Sequence, residues 1–191
     1  MGVRTVVHVG HPALRDPTRE VSSEELASED VQGFIDDLIE TMRHAKGAGL
    51  AANQVGDDRR ICVIEVQDNP RYPYKPPIPL TVLVNPRITL LGEERFYNYE
   101  GCLSVPDLRG VVPRAVRIRL QALDRTGSPV DEEIVGLSAG TYQHECDHLD
   151  GRVFLDRVED TTTLTTWDGY HRFHKEAFES RARALVARFG S

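Results

Sequence analysis

The sequence contains no apolar run of the roughly 20 residues that a membrane-spanning helix needs. Its first residues also lack the hydrophobic stretch of a signal peptide. Acidic residues outnumber basic ones, 30 to 23, which gives a net charge of −7. Such a charge disfavours a nucleic-acid groove or an anionic membrane surface. We therefore expect a soluble protein without nucleic-acid or membrane partners.

Cysteine is also scarce. The three residues Cys62, Cys102 and Cys146 are odd in number and form no C-x-x-C pair. This argues against a disulfide scaffold. Free thiols are typical of a reducing compartment, so the sequence predicts a cytoplasmic location. There Cys102 would stay available as a thiolate.

The most informative stretch that is present is QHECDH, at residues 143–148. Residues four apart on an α-helix lie one above the other on the same face. His144 and His148 therefore point toward one position, where they can bind a metal ion. Glu145, next to the first of them, can reach a water molecule bound to that ion. The spacing predicts a metal site with Glu145 as its acid–base group.

A catalytic zinc site needs a third protein ligand, and the sequence offers more than one source. In metzincins a further His follows in the pattern H-E-x-x-H-x-x-G-x-x-H. Here Phe154 occupies that position, so this class is excluded. Other zincins take a later glutamate, for which Glu176 or Glu179 is available. The segment around those two is more typical of a charged amphipathic helix.

The upstream candidate is Cys102, in the segment EGCLSVP at residues 100–106. A thiolate would supply the negative charge that two neutral imidazoles lack. A lone cysteine is more often a small buried apolar residue. Gly101, however, lets the backbone come close to a metal ion, which favours Cys102 as the ligand.

A third segment, GAGLAANQ at 47–54, combines flexible glycines with the amide donor of Gln54, although Gly47 alone fits a helix C-cap equally well.

These three segments, in this order, resemble the signature motifs of the peptide deformylase family. The resemblance covers about residues 5–158 and implies removal of the formyl group from the initiator methionine of nascent polypeptides, with release of formate. It implies Fe(II) as the cellular cofactor, with Zn(II), Ni(II) or Co(II) possible in purified protein. It also implies nascent N-formylmethionyl peptides as partners, with transient ribosome contact as a further expectation.

The resemblance also implies a role for each site residue. Cys102, His144 and His148 would bind the metal, and Glu145 would be the general base and then acid. The Leu103 backbone N–H and the Gln54 amide would stabilise the oxyanion. The substrate would pair along a strand edge near Gly49, and an apolar pocket whose walls include residues just before His144 would receive the methionine side chain. Arg109 is held in reserve, because a solvated loop arginine is an equal alternative.

The expected fold is α+β, with mixed or antiparallel strands around the central HExxH helix, an N-terminal helix and a C-terminal helix. We expect a single domain over 1–191, with its core at about 5–158 and a helical extension at about 161–191. In that extension a helix from about Tyr170 to Phe189 is predicted to pack on the body through Phe173, Ala177, Leu185 and Val186. Apolar residues at helical spacing predict a core-packed helix that Ser28 caps and Gly47 ends. The proline-rich segment 67–79 predicts a surface loop. Strands are predicted at 60–66, 81–84, 88–91, 116–121 and 130–135, followed by the His-bearing helix from Ser138 to Gly151.

Two other functions stay open on the sequence alone. A metal-stabilised binding module without catalysis would make Glu145 an ordinary carboxylate, although three ligands leave the open position of a catalytic site. A family member that has lost its activity is the other, but intact Gln54, Cys102 and Glu145 argue against it.

Overall fold

The computed structural model describes residues 2–67 and 72–191. Its helices and strands follow here in chain order. They are α1 (Ser23–Leu26), α2 (Glu29–His44), β1 (Gly49–Ala51), β2 (Ile61–Val66), β3 (Ile78–Leu90), β4 (Arg95–Cys102), β5 (Val105–Ala115), β6 (Arg117–Leu123), β7 (Pro129–Val135), α3 (Gly136–Leu149), β8 (Thr165–Thr166), α4 (Trp167–Gly169) and α5 (Lys175–Phe189). None of the helices described is both long enough and apolar enough to span a bilayer.

The strands form two sheets. One has the order β1-β2-β3-β6-β7 and the other β4-β5-β8, and neighbouring strands in both are antiparallel. Helix α3 is buried along nearly its whole length and packs on strands of both sheets. This arrangement confirms the predicted α+β fold with antiparallel strands, and α3 is the helix that contains residues 143–148. It also places β1, which carries Gly49, at the edge of the larger sheet.

Helix α2 forms because its apolar residues share one face. The side chain of Ser28 accepts a hydrogen bond from the Val31 N–H, as predicted for the cap. All six residues of the predicted stripe are buried: Val31, Phe34, Ile35, Leu38, Ile39 and Met42. The predicted end is wrong, because Lys46 rather than Gly47 takes the left-handed conformation, with φ 54°. Position 47 favours glycine for another reason, because a Cβ there would lie only 2.9 Å from Leu103 Cδ1.

Strand β3 joins two segments that the sequence predicts as separate strands. The pairing shifts between Val84 and Arg87, where Asn85 has a φ of 53°. The Asn85 side chain stabilises this bulge by hydrogen bonds to both the N–H and the carbonyl of Val21. The strand therefore continues through the Asn85-Pro86 pair, because the bulge absorbs the residues that cannot join the ladder.

The proline-rich segment differs from its prediction. Residues 68–71 lie outside the described part of the chain. Strand β3 already begins at Ile78, so Pro79 lies in a strand, near its start, where proline is tolerated. Tyr74 is buried, with its ring 5.1 Å from that of Phe178. The prediction of a surface loop over the whole of 67–79 is therefore wrong.

The C-terminal helix packs on the body through a face that only partly matches the prediction. A wider π-helical turn, Tyr170–His174, precedes α5 and shifts the residues that follow relative to regular α-helical spacing. The predicted contacts of Phe173 and Ala177 are therefore wrong, because Phe173 is 76% exposed and Ala177 is exposed as well. The buried residues of this region are Tyr170, Phe178 and Ala182. The predicted contacts of Leu185 and Val186 with the body are confirmed.

Shortening a side chain in the α2 stripe tests the packing of this core. Leu38 is fully buried, so Leu38→Ala should lower the free energy of unfolding by about 2–5 kcal/mol. Leu90→Ala is the matched control. Leu90 is 49% exposed, and its replacement should change that free energy by no more than about 0.5 kcal/mol. Urea unfolding of both variants in the same metal state measures the difference, and equal midpoints would contradict the assignment.

Candidate metal centre

Three predicted ligands meet beside α3. His144 and His148 lie one helical turn apart, with ring centroids separated by 5.0 Å. Cys102 ends β4, and its Sγ lies 3.2 Å from His148 Nε2. One ligand atom from each of these residues lies within 4.8 Å of the others. The cluster fits a divalent ion with three protein ligands and a free coordination position.

A buried carboxylate orients the first histidine. Glu100 Oε2 lies 2.8 Å from Nδ1 of His144, which leaves Nε2 of that ring for a metal ion. Both oxygens of Glu100 also accept hydrogen bonds from Arg114, at 2.7 and 2.8 Å. Burial opposes ionisation of Glu100, but the charge and hydrogen bonds of Arg114 hold its pKa well below the ordinary value. Glu100 is therefore an anion that fixes the orientation of His144.

Arg114 extends this network to α3 itself. Its Nη1 lies 2.6 Å from Asp147 Oδ2, and Arg157 Nη2 lies 2.6 Å from the other oxygen of Asp147. Burial would raise the pKa of Asp147, but these two arginines lower it overall. The buried ion pairs thus tie β5 to the helix that carries both histidines. Sequence reasoning did not find Arg114 or Asp147, since partners 33 residues apart leave no local pattern.

The amide of Gln54 lies beside the sulfur. The Ala51 N–H donates to Gln54 Oε1 at 2.9 Å, which turns Nε2 toward Ser104 Oγ at 3.0 Å and Cys102 Sγ at 3.4 Å. Although burial raises the pKa of Cys102, the charge of His148 and a hydrogen bond with His144 lower it well below the ordinary value. The structure thus brings the Gln54 amide and the Cys102–Leu103 segment to the same side of the cluster.

Glu145 faces the edge strand. A Cβ at Gly49 would lie 2.4 Å from the Glu145 carboxylate, so only glycine leaves room for it. Burial raises the pKa of Glu145, and within the described ranges its Oε2 has no hydrogen-bond partner. Such an oxygen is free to bind a water molecule or a substrate group. The structure therefore brings Gly49 and Glu145 together, beside the two histidines.

The alternative glutamate ligands lie elsewhere. Glu179 on α5 pairs with Arg183 at 2.8 Å and with Lys175. Neither it nor Glu176 belongs to a metal-ligand cluster among the residues described. The zincin alternative with a downstream glutamate therefore finds no support in the geometry.

Arg109 is not a solvated loop residue. It lies on β5, is 2% exposed, and its guanidinium carbon is 4.4 Å from the ring centroids of both Trp167 and Tyr170. Its Nη2 donates to the Tyr99 carbonyl at 3.2 Å. Arg109 lines the same cavity as Cys102 and His144, which favours the expectation that it lies near the substrate.

The cavity beside the ligands has a different character from the predicted one. Gly140 and Thr141, just before His144, do line it, as expected. Polar side chains nevertheless face it, including Lys75, Asn98 and Arg109. Lys75 comes from the proline-rich segment and was not identified from the sequence, because its position depends on how that segment folds back onto α3. The prediction of an apolar pocket is therefore wrong for this part of the wall.

Together, the buried Cys/His/His cluster, the adjacent carboxylate and the cavity define a metallohydrolase of the HExxH class. Comparison with known proteins identifies the family. Residues 3–163 match the model of the polypeptide deformylase family. A peptide deformylase of Leptospira biflexa is 43% identical over 162 residues, which cover 84% of this chain and 90% of the relative. Peptide deformylase 2 of Pseudomonas putida is 43% identical over 158 residues, covering 83% and 89%.

Solved structures of peptide deformylases are also similar to this chain. A class I type b peptide deformylase from Acinetobacter baumannii, with Met-Ala-Ser bound, has a TM-score of 0.79 and 37% identity over 82% of this chain and 98% of that one. A peptide deformylase from Legionella pneumophila has a TM-score of 0.72 and 30% identity over 98% and 95%. The chain belongs to the polypeptide deformylase family. The family is metal-dependent, and its activity is removal of the formyl group from N-formylmethionyl peptides.

The carboxylate behind His144 provides a test of the site. Glu100→Gln keeps the shape of the side chain but removes the charge that orients His144, so it should lower metal affinity about 10- to 100-fold. Competition with a chelator measures the affinity. Glu133→Gln is the control, because Glu133 pairs with Arg117 on the exposed face of the sheet. Equal affinities of the two variants would contradict the orienting role.

Proposed function

We propose that this chain removes the formyl group from the initiator methionine of nascent polypeptides, and that Cys102, His144 and His148 hold the metal ion it needs. The observation that supports this assignment is the meeting of the three ligand atoms within 4.8 Å of one another, beside a buried glutamate. When bound, the ion would supply Lewis acidity and lower the pKa of a coordinated water molecule.

In the proposed mechanism, Glu145 is the general base and then the general acid. Its carboxylate takes a proton from the attacking water and later delivers it to the leaving amine. The raised pKa that burial gives this carboxylate suits a group that must both accept and release a proton. Water attack on the formyl carbon and loss of the amine yield formate and a free N-terminus.

Two donors would stabilise the negative charge that develops on the formyl oxygen. They are the backbone N–H of Leu103 and the Nε2 group of Gln54. The Ala51 N–H already holds the Gln54 amide in place, so this donor needs no rearrangement during the reaction. Loss of one such donor typically raises the barrier by about 3 kcal/mol.

The substrate peptide is proposed to pair with the backbone of β1 near Gly49. This strand lies at the edge of its sheet, and edge strands bind extended peptides through main-chain hydrogen bonds. Recognition through the main chain would make the enzyme tolerant of the sequence after the first residue. The Met-Ala-Ser bound to the Acinetobacter relative indicates a suitable test peptide.

We further propose that the reaction takes place in the cytoplasm, where nascent chains are synthesised, with transient contact to the ribosome.

We also propose that the chain is one domain, with a core at about 5–158 and an extension at about 161–191. The packing of Tyr99, on β4, against the extension supports this proposal, since its ring lies 5.3 Å from that of Tyr170 and 5.9 Å from that of Phe178.

Substitution of the proposed base tests the mechanism. Glu145→Gln should lower kcat for formyl-Met-Ala-Ser by about 10²- to 10⁴-fold, because a neutral amide cannot take up the proton. Its metal content should not change. Glu176→Gln, at an exposed glutamate on α5, should behave as the parent does. Formate release and metal analysis on the same samples measure both quantities, and full activity of Glu145→Gln would reject the assignment.

The proposed native metal is Fe(II), with Zn(II), Ni(II) or Co(II) as occupants of purified protein. A Cys/His/His donor set accepts all of these ions. A ferrous ion beside the Cys102 thiolate would make the enzyme sensitive to oxygen. Protein prepared without air should therefore contain iron and lose activity on exposure to air, as metal analysis and formate release would show. Anaerobic protein that holds only zinc at full activity would contradict the proposal.

A further inference from the structure

The cavity beside Glu145 contains an ammonium group that has no ionic partner among the described residues. Lys75 Nζ donates to Thr141 Oγ1 at 2.9 Å, and its ammonium lies 5.1 Å from the centroid of the Tyr72 ring. No carboxylate within the described ranges forms an ion pair with it. An ammonium has three N–H donors, and the Thr141 hydroxyl satisfies one of them. The remaining donors are therefore available to a ligand in the cavity.

The two nearby carboxylates already have other partners or another proposed role. Both oxygens of Glu100 bind Arg114, and one of them also binds His144. Glu145 is the proposed general base. Burial lowers the pKa of Lys75 to about 8, and the charges of Glu100 and Glu145 only partly oppose this. Lys75 is thus still mostly protonated at neutral pH, and a ligand that brought a negative oxygen would complete its environment.

The rest of the wall is polar as well. Asn98 is buried and donates to Glu100 Oε1 at 3.2 Å. Arg109 adds a second positive charge, and in the part of the chain that the structure describes its buried Nε and Nη1 have no hydrogen-bond acceptor. A purely hydrocarbon side chain would leave these donors unsatisfied, which costs binding energy. A side chain with an acceptor oxygen would not.

The position of the cavity indicates which part of the substrate enters it. Thr141 and Glu145 are four residues apart on α3, so they share one face and are separated by about one turn, roughly 6 Å along the axis. The first side chain of the peptide is attached next to the formylated nitrogen on which Glu145 is proposed to act. A side chain of about methionine's length spans one helical turn and so reaches Lys75.

We propose that Lys75 is a specificity-determining residue, which makes this cavity favour a first side chain that carries an acceptor oxygen on its third atom. Two chemical groups share this geometry: the carboxylate of glutamate and the sulfoxide of oxidised methionine. In both, an oxygen is bonded to the third side-chain atom, the position at which methionine has only a weakly accepting sulfur. The proposal rests on the proposed function, since it assumes that formylated peptides bind with their first side chain in this cavity.

The test compares four peptides of the form formyl-X-Ala-Ser, with methionine, methionine sulfoxide, glutamate or norleucine at X. Norleucine has the length of methionine but no acceptor. Lys75→Met should lower kcat/KM for the glutamate or sulfoxide peptide, relative to norleucine, by about 10- to 100-fold, as expected for loss of a charge-assisted hydrogen bond. The substrate that shows the change identifies the source of the oxygen. Because each ratio is measured within one variant, a reduced fraction of active enzyme cancels.

Two further variants complete the experiment. Lys75→Arg keeps a positive charge and should retain much of the parent preference. Lys175→Met removes a lysine on α5 that pairs with Glu179 outside the cavity, and its ratios should equal those of the parent. Ratios that do not change in Lys75→Met would overturn the inference while formyl-methionine hydrolysis stood. A parent enzyme that hydrolyses none of the four peptides would instead reject the proposed function.

Discussion

The metal centre depends on the buried contact between Arg114 and two carboxylates. Arg114 binds Glu100 from its own sheet and Asp147 from α3, and all three side chains are nearly inaccessible to solvent. Buried charges are costly unless they are paired in good geometry, so these groups are stable only when strand and helix are correctly docked. The same contact fixes Glu100 against His144. The ion pairs that hold β5 against α3 therefore also orient the side chain of His144.

The sequence predicted the parts of the site that depend on local spacing. The four-residue interval puts His144 and His148 on one helical face in any regular helix, and glycine at position 49 follows from a requirement for close approach. Cys102 was favoured because the other possible third ligands fitted the pattern poorly. Its meeting with the histidines depends on the docking of β4 against α3, which no local pattern encodes. The expectation that Cys102 lies beside the two histidines therefore rests on the resemblance to the peptide deformylase family.

The predictions that failed concern residues whose positions are set by distant parts of the chain. The prolines of 67–79 argue against a helix, and none forms in the described residues 72–79. They did not show that Tyr74 packs against Phe178 or that Lys75 reaches the cavity. Phe173 was misplaced because a single π-helical turn changed the face of the helix that follows. The character of the cavity was not predicted for the same reason, since its wall is assembled from segments that lie far apart in the sequence.

The order of the ligands along the chain has a consequence for how the enzyme itself is produced. Cys102 precedes His148 by 46 residues, and the two meet only after α3 has docked. The three candidate ligand atoms cannot meet until the chain has been made as far as His148 and α3 has docked against β4. An ion that needs all three ligands would therefore stabilise only the folded chain, which couples metal binding to completion of the tertiary structure.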